Sequence, residues 1–193
     1  MVSATSDLSS ATPSEVDDVI LDLASTDRKS GAFRRGRLEV LNELRRRTGS
    51  EAASPEDHFL LGRALWTLSR RLEPAQSVDA LRALARSCAD PSLAPMATLI
   101  TVYLLERSRE YRATVVASDS LEREWFDAQN LEWRWVTGLE CRFSALVGLG
   151  MTTEAVSIFT EVLRWLDRED EIGAAAPAVF ARALKRGVPW LRE

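Results

Sequence analysis

One histidine, His58, stands beside Glu56 and Asp57 in a chain of 193 residues. An imidazole next to two carboxylates has the makings of a metal ligand or a general base. With no second histidine anywhere in the chain, a metal there would need carboxylates alone for company. The run Ser54-Pro55-Glu56-Asp57 is helix-start chemistry, so the position reads as a solvated residue in a capped first turn. The phosphate-binding loop, the nucleophile elbow, the dinucleotide fingerprint and the Glu-x-x-His pair of di-iron bundles are all missing. Other carboxylates, Asp17-Asp18, Glu122/Glu124 and Asp167/Glu169/Asp170/Glu171, fall where solvated faces and helix ends are expected. The expectation is a non-enzyme with no catalytic residue, no metal and no cofactor.

Arginine and tryptophan offer binding chemistry instead. Arg63, Trp66 and Arg70 recur at three and four spacing, so one helix face carries two guanidiniums with an aromatic between them. That face suits an acidic peptide or a phosphate, through bidentate hydrogen bonds and stacking. Arg45-Arg46-Arg47 close a helical run, where they offset the negative end of the helix dipole. Trp66, Trp125, Trp133, Trp135 and Trp165 sit at helical spacing among apolar residues and read mainly as core. Trp133 and Trp135 are two apart and cannot share one narrow helix face, so one of them points away from the main seam.

Net charge is −4 with its signs segregated: residues 1–27 hold six acids and no base, while residues 28–86 hold thirteen bases and seven acids. The acidic total argues against a general nucleic-acid binder, and the basic middle prefers acidic ligands. Cys88 and Cys141 lie in helix-like runs with no C-x-x-C pair, which reads as two buried, reduced side chains. Neither a secretory leader nor a membrane span is legible, so a cytoplasmic protein is expected. Arginine far outnumbers lysine, of which there are two, an association with high-GC bacterial genomes.

These residues need helices to position them. Apolar residues recur at three and four spacing almost from end to end, and Thr12-Pro13-Ser14-Glu15 repeats the capping design of Ser54 to Asp57. The pattern predicts an all-α chain of about nine helices near 13–25, 31–48, 55–70, 75–89, 92–107, 109–121, 125–149, 152–167 and 174–186. Loops this short make sequential helices antiparallel hairpins. Residues 1–12, poor in apolar content, are expected to be a disordered tail, and 13–193 a single domain.

The run Leu149-Gly150-x-x-x-Glu154-Ala155-x-x-x-Phe159-x-x-x-Leu163 resembles the tetratricopeptide repeat at its inter-helix turn and second helix. Leu61-Gly62-x-x-Leu65-x-x-Leu68 matches the first helix of that repeat more loosely, and Phe143 stands where the last repeat would have a small residue. The resemblance implies a right-handed array of stacked hairpins whose first helices line a groove for a peptide or helix. Carried onto this chain, the groove positions are Arg63, Trp66 and Arg70, then Thr98 and Thr101, then Thr137, Glu140 and Ser144. The expected function is a non-enzymatic protein-binding adaptor, chaperone or inhibitor, an immunity-type inhibitor being a narrower version, with another protein or an acidic peptide as partner. The alternative is a regulatory module contacting nucleic acid through the basic segment 28–86, which salt dependence would separate from it.

Overall fold

The computed structural model describes residues 8–69 and 72–166. Among them are a short 3-10 turn, Leu8–Ser10, and nine α-helices: α1 Pro13–Ser25, α2 Gly31–Thr48, α3 Pro55–Leu68, α4 Pro74–Ser87, α5 Ala94–Arg107, α6 Tyr111–Ser118, α7 Arg123–Ala128, α8 Glu132–Gly148 and α9 Thr152–Leu166. No strand occurs among the described residues, so the all-α class stands. The helix expected at 174–186 lies outside them. No described helix is long and apolar enough to cross a membrane. The chain divides into two compact units, residues 1–100 and 101–193, the division falling inside α5.

In the first unit α3 packs against α1, α2 and α4. Thr12 and Ser54 each cap a helix through a full capping box, with proline inside the start. Val16 and Ile20 of α1, Val40 and Leu44 of α2, Leu65 and Leu68 of α3 and Leu84 of α4 are almost wholly buried. Gly62 sets the closest approach. A Cβ there would meet Leu84 Cγ at 2.6 Å and the Ala80 carbonyl at 3.3 Å, so α4 rests directly on the α3 backbone.

Arg47 does more than offset a dipole. Its guanidinium donates to Glu43 at 2.8 Å and to the carbonyls of Leu8 and Ala11, and it lies 3.7 Å from Asp57. Residues 8–11, expected to be part of a loose tail, are tied to α2 by this one side chain. Glu43 also accepts two hydrogen bonds from Arg46. These bonds, with those from Arg47, hold the Glu43 carboxyl down at about 2, against an ordinary 4.5. A depressed acid contributes stability that is present above its unfolded value and lost as pH falls through the folded one. The carboxylate is only 12% exposed, so solvent screening removes little of roughly 2–3 kcal/mol. Urea unfolding of the wild type should therefore lose that increment between pH 5 and pH 2, and Glu43→Gln should lack this part of the pH dependence.

In the second unit α8 is the central helix, packed by α6, α7 and α9. The single helix expected over 125–149 is in fact two, α7 and α8. Asn130 takes a left-handed φ of 55°, which asparagine tolerates, and the Leu131 N–H bonds back to the Phe126 carbonyl at 2.8 Å. After α8, Gly150 at φ 72° makes the turn. Its N–H bonds the Val147 carbonyl at 3.1 Å, while the Met151 N–H bonds the Leu146 carbonyl at 3.0 Å. This Schellman arrangement satisfies the last carbonyls and needs a residue without a Cβ penalty. Ala155 is fully buried, and Phe159 packs on Phe143 with ring centroids 5.5 Å apart.

Candidate functional site

The residues expected to line a groove are mostly engaged inside the fold. Arg63 reaches from α3 to α1 and pairs with Asp17 at 2.8 Å, both side chains being about a quarter exposed. Trp66 is half-buried, and Arg70 lies outside the described residues. Thr98 is half-buried and hydrogen-bonds the Cys88 thiol. Thr101 is half-buried as well. In the second unit Thr137 donates to the Trp133 carbonyl at 2.8 Å and also hydrogen-bonds Tyr103. Burial drives the Tyr103 phenol well above its ordinary value. Ser144 donates to Glu106 at 2.7 Å, and Glu140 is only 3% exposed. Arg63, Thr137 and Ser144 thus bond across packed helices, so their side chains serve internal seams.

Unpaired charge collects elsewhere in the first unit. Arg45 and Thr48 at the end of α2, His58 and Leu61 of α3, and Asp79, Arg82, Ala83 and Arg86 of α4 line a cleft of about 290 Å³. The local sequence explains the placement. Arg82 and Arg86 are four apart, so they project from one face of α4. Ala83 and Leu84 bury the adjoining face against α3, so that arginine face borders the α2–α3 seam. His58 follows the capping box directly and therefore sits in the first turn of α3. Arg46 and Arg47 are held by Glu43, which leaves Arg45 as the member of the triplet that enters the cleft. The guanidiniums of Arg45, Arg82 and Arg86 make no ion pair or hydrogen bond among the described residues, and Asp79 supplies the lone acid of the lining.

His58 is the informative member. It is not the solvated residue its position implied, being only 9% exposed. Its imidazole has no hydrogen-bond partner among the described residues. Burial, with the Arg86 guanidinium adding, holds its pKa below the ordinary histidine value against the opposing pull of Asp57. Neither ring nitrogen is both buried and unbonded, so solvent in the cleft serves the imidazole and a ligand there could take its place. The Thr48 hydroxyl, by contrast, donates back to the Leu44 carbonyl at 2.8 Å and is already used. Three arginines and one histidine line the same concave spot, which is chemistry for holding an anion.

A cavity of about 380 Å³ in the second unit is lined by Arg123, Trp135, Ser157, Glu161, Arg164 and Trp165. Arg123 stacks over the Trp135 ring at 4.9 Å but is already bonded to Glu132 at 2.7 Å and Asp127 at 3.3 Å. Trp133 is half-buried and lies under Arg134 at 4.7 Å, while Trp135 is buried. Neither cysteine forms a disulfide; Cys141 is buried, whereas Cys88, expected buried, is exposed. Among the described residues no group of three or more His, Cys, Asp or Glu side chains is placed to hold a metal ion.

The pairing of Arg82 with Arg86 was legible as an i, i+4 spacing. Its convergence with Arg45 and His58 was not, since those residues come from three different helices. No family model, no curated protein and no solved structure matches this chain.

Proposed function

We propose that this chain is a non-enzymatic binding protein, an adaptor, chaperone or inhibitor of which the immunity type is a narrower form. In this reading the cleft of α2, α3 and α4 receives an acidic segment of a partner protein. The single observation behind it is that Arg45, Arg82 and Arg86 converge without internal partners, while Arg46, Arg47 and Arg63 are all consumed by carboxylates. A stacked-hairpin array of the tetratricopeptide-like kind would present such a surface, because helical arrays leave side chains of successive helices on extended faces. The reading moves the recognition site off Arg63, whose charge Asp17 neutralises.

The test is charge reversal in the full-length chain. Arg82→Glu with Arg86→Glu should weaken capture of the native partner about a hundredfold or more, since like charge at an interface costs several kcal/mol. Both side chains are exposed, so the fold should be retained. Arg34→Glu with Arg35→Glu, an exposed pair elsewhere in the same basic segment, should change capture far less. Equal losses from the two pairs, together with a steep salt dependence, would favour nucleic-acid contact through residues 28–86 instead.

A further inference from the structure

We infer that the cleft of Arg45, His58, Arg82 and Arg86 is a site for a phosphate monoester dianion. The inference deepens the proposed function, on which it rests for the location of the site. Charge counting distinguishes the ligand class. Three guanidiniums against Asp79 leave an excess of two positive charges in one concavity. A single carboxylate neutralises half of that excess, whereas a monoester above its second ionisation carries close to two charges and three strong acceptor oxygens. Each guanidinium fork matches such oxygens with two parallel N–H bonds.

The imidazole completes the argument. His58 lines the cleft and has no hydrogen-bond partner among the described residues, so its ring nitrogens are open to whatever fills the cleft. A phosphate oxygen would supply its acceptor. The groups facing it are Asp57 on its own helix, Arg45 from α2, and Asp79, Arg82 and Arg86 from α4. With the cleft empty, burial and Arg86, against the pull of Asp57, disfavour the protonated ring. A dianion reverses the local field and draws a proton onto it, so occupancy and protonation of His58 favour each other. The shape argues against a nucleic-acid backbone as the ligand. The three arginines line a single cleft of about 290 Å³, whereas a diester chain carries one charge per phosphate and calls for a stripe of bases along a face.

The chain's lone histidine makes the experiment clean, because its imidazole proton resonances can belong to no other residue. The full-length protein is titrated with inorganic phosphate, a phosphoserine hexapeptide, the same peptide bearing serine or glutamate, and a short single-stranded oligonucleotide. Binding is read by calorimetry and by the His58 resonances. The expected result is saturable binding of phosphate and phosphopeptide, with a His58 pKa that rises on saturation and so adds a His58-borne pH dependence to the affinity. Arg82→Gln or Arg86→Gln should each weaken binding about tenfold or more, the loss of a charge-assisted bond. His58→Gln should remove that part of the pH dependence with a smaller loss of affinity, and unchanged circular dichroism would certify each variant.

A phosphopeptide binding tenfold more tightly than inorganic phosphate would place the monoester on a polypeptide; equal affinities would place it on a small molecule. Either supports the site. Glutamate peptide binding as well as phosphopeptide would overturn the monoester assignment while leaving the acidic-partner reading standing. Oligonucleotide binding more tightly than either, with a steep salt slope, would overturn both. So would silence of the His58 resonances with no binding of any anion.

Discussion

Arg47→Ala should unfold the first unit at a markedly lower urea midpoint, with a loss of about 3–5 kcal/mol, and should expose residues 8–12 to protease. The magnitude follows from what the side chain holds. Its guanidinium is 12% exposed and bonds Glu43 and two carbonyls of the lead-in segment, with Asp57 close by. Truncation leaves several part-buried acceptors without donors, which is costlier than never having made the bonds. Arg47→Lys should recover little of the loss, since an ammonium cannot reproduce a planar fork that reaches two carbonyls and a carboxylate together. A loss under about 1 kcal/mol would mean that Arg47 is only a helix-end charge, as the triplet Arg45-Arg46-Arg47 implies when read alone.

Phe159→Ala should cost about 3–5 kcal/mol in the second unit, the sum of lost transfer energy and the cavity left behind. Phe159 is 8% exposed and faces Phe143 at 5.5 Å, so truncation empties the space between α8 and α9 on both sides of one contact. Phe159→Leu should cost far less, because most of the volume is kept. The measurement is the denaturant midpoint at unchanged slope, with tryptophan fluorescence as the probe. Trp165 lies six residues on in the same helix and is 3% exposed, so it should report the repacking. A wild-type midpoint for Phe159→Ala would show that the pair of rings does not anchor this hairpin.

The placement of helices was legible because helix formation is decided locally. Capping at Thr12, Ser30 and Ser54, proline just inside three helix starts, and Gly150 after α8 act within one turn of themselves. Expected and observed ends accordingly differ by a few residues at most sites. The one larger miss, at Asn130, has a local cause too. An unbroken apolar rhythm across 125–149 says nothing of a single left-handed residue that resets the phase.

The site is a different matter. Sequence spacing shows which residues share a face of one helix, and on that basis Arg63, Trp66 and Arg70 form a convincing face. It does not show which charge on another helix that face will meet. Asp17 arrives from α1, 46 positions away in the chain, and neutralises Arg63. The same packing brings the end of α2 and the arginine face of α4 to His58, and turns a histidine in an ordinary capped turn into a buried, unbonded one. Helical class and cap positions follow from interactions within a few residues, which the sequence states by itself. Which arginines are spent and which stay available depends on distances between helices, and only the tertiary structure decides those.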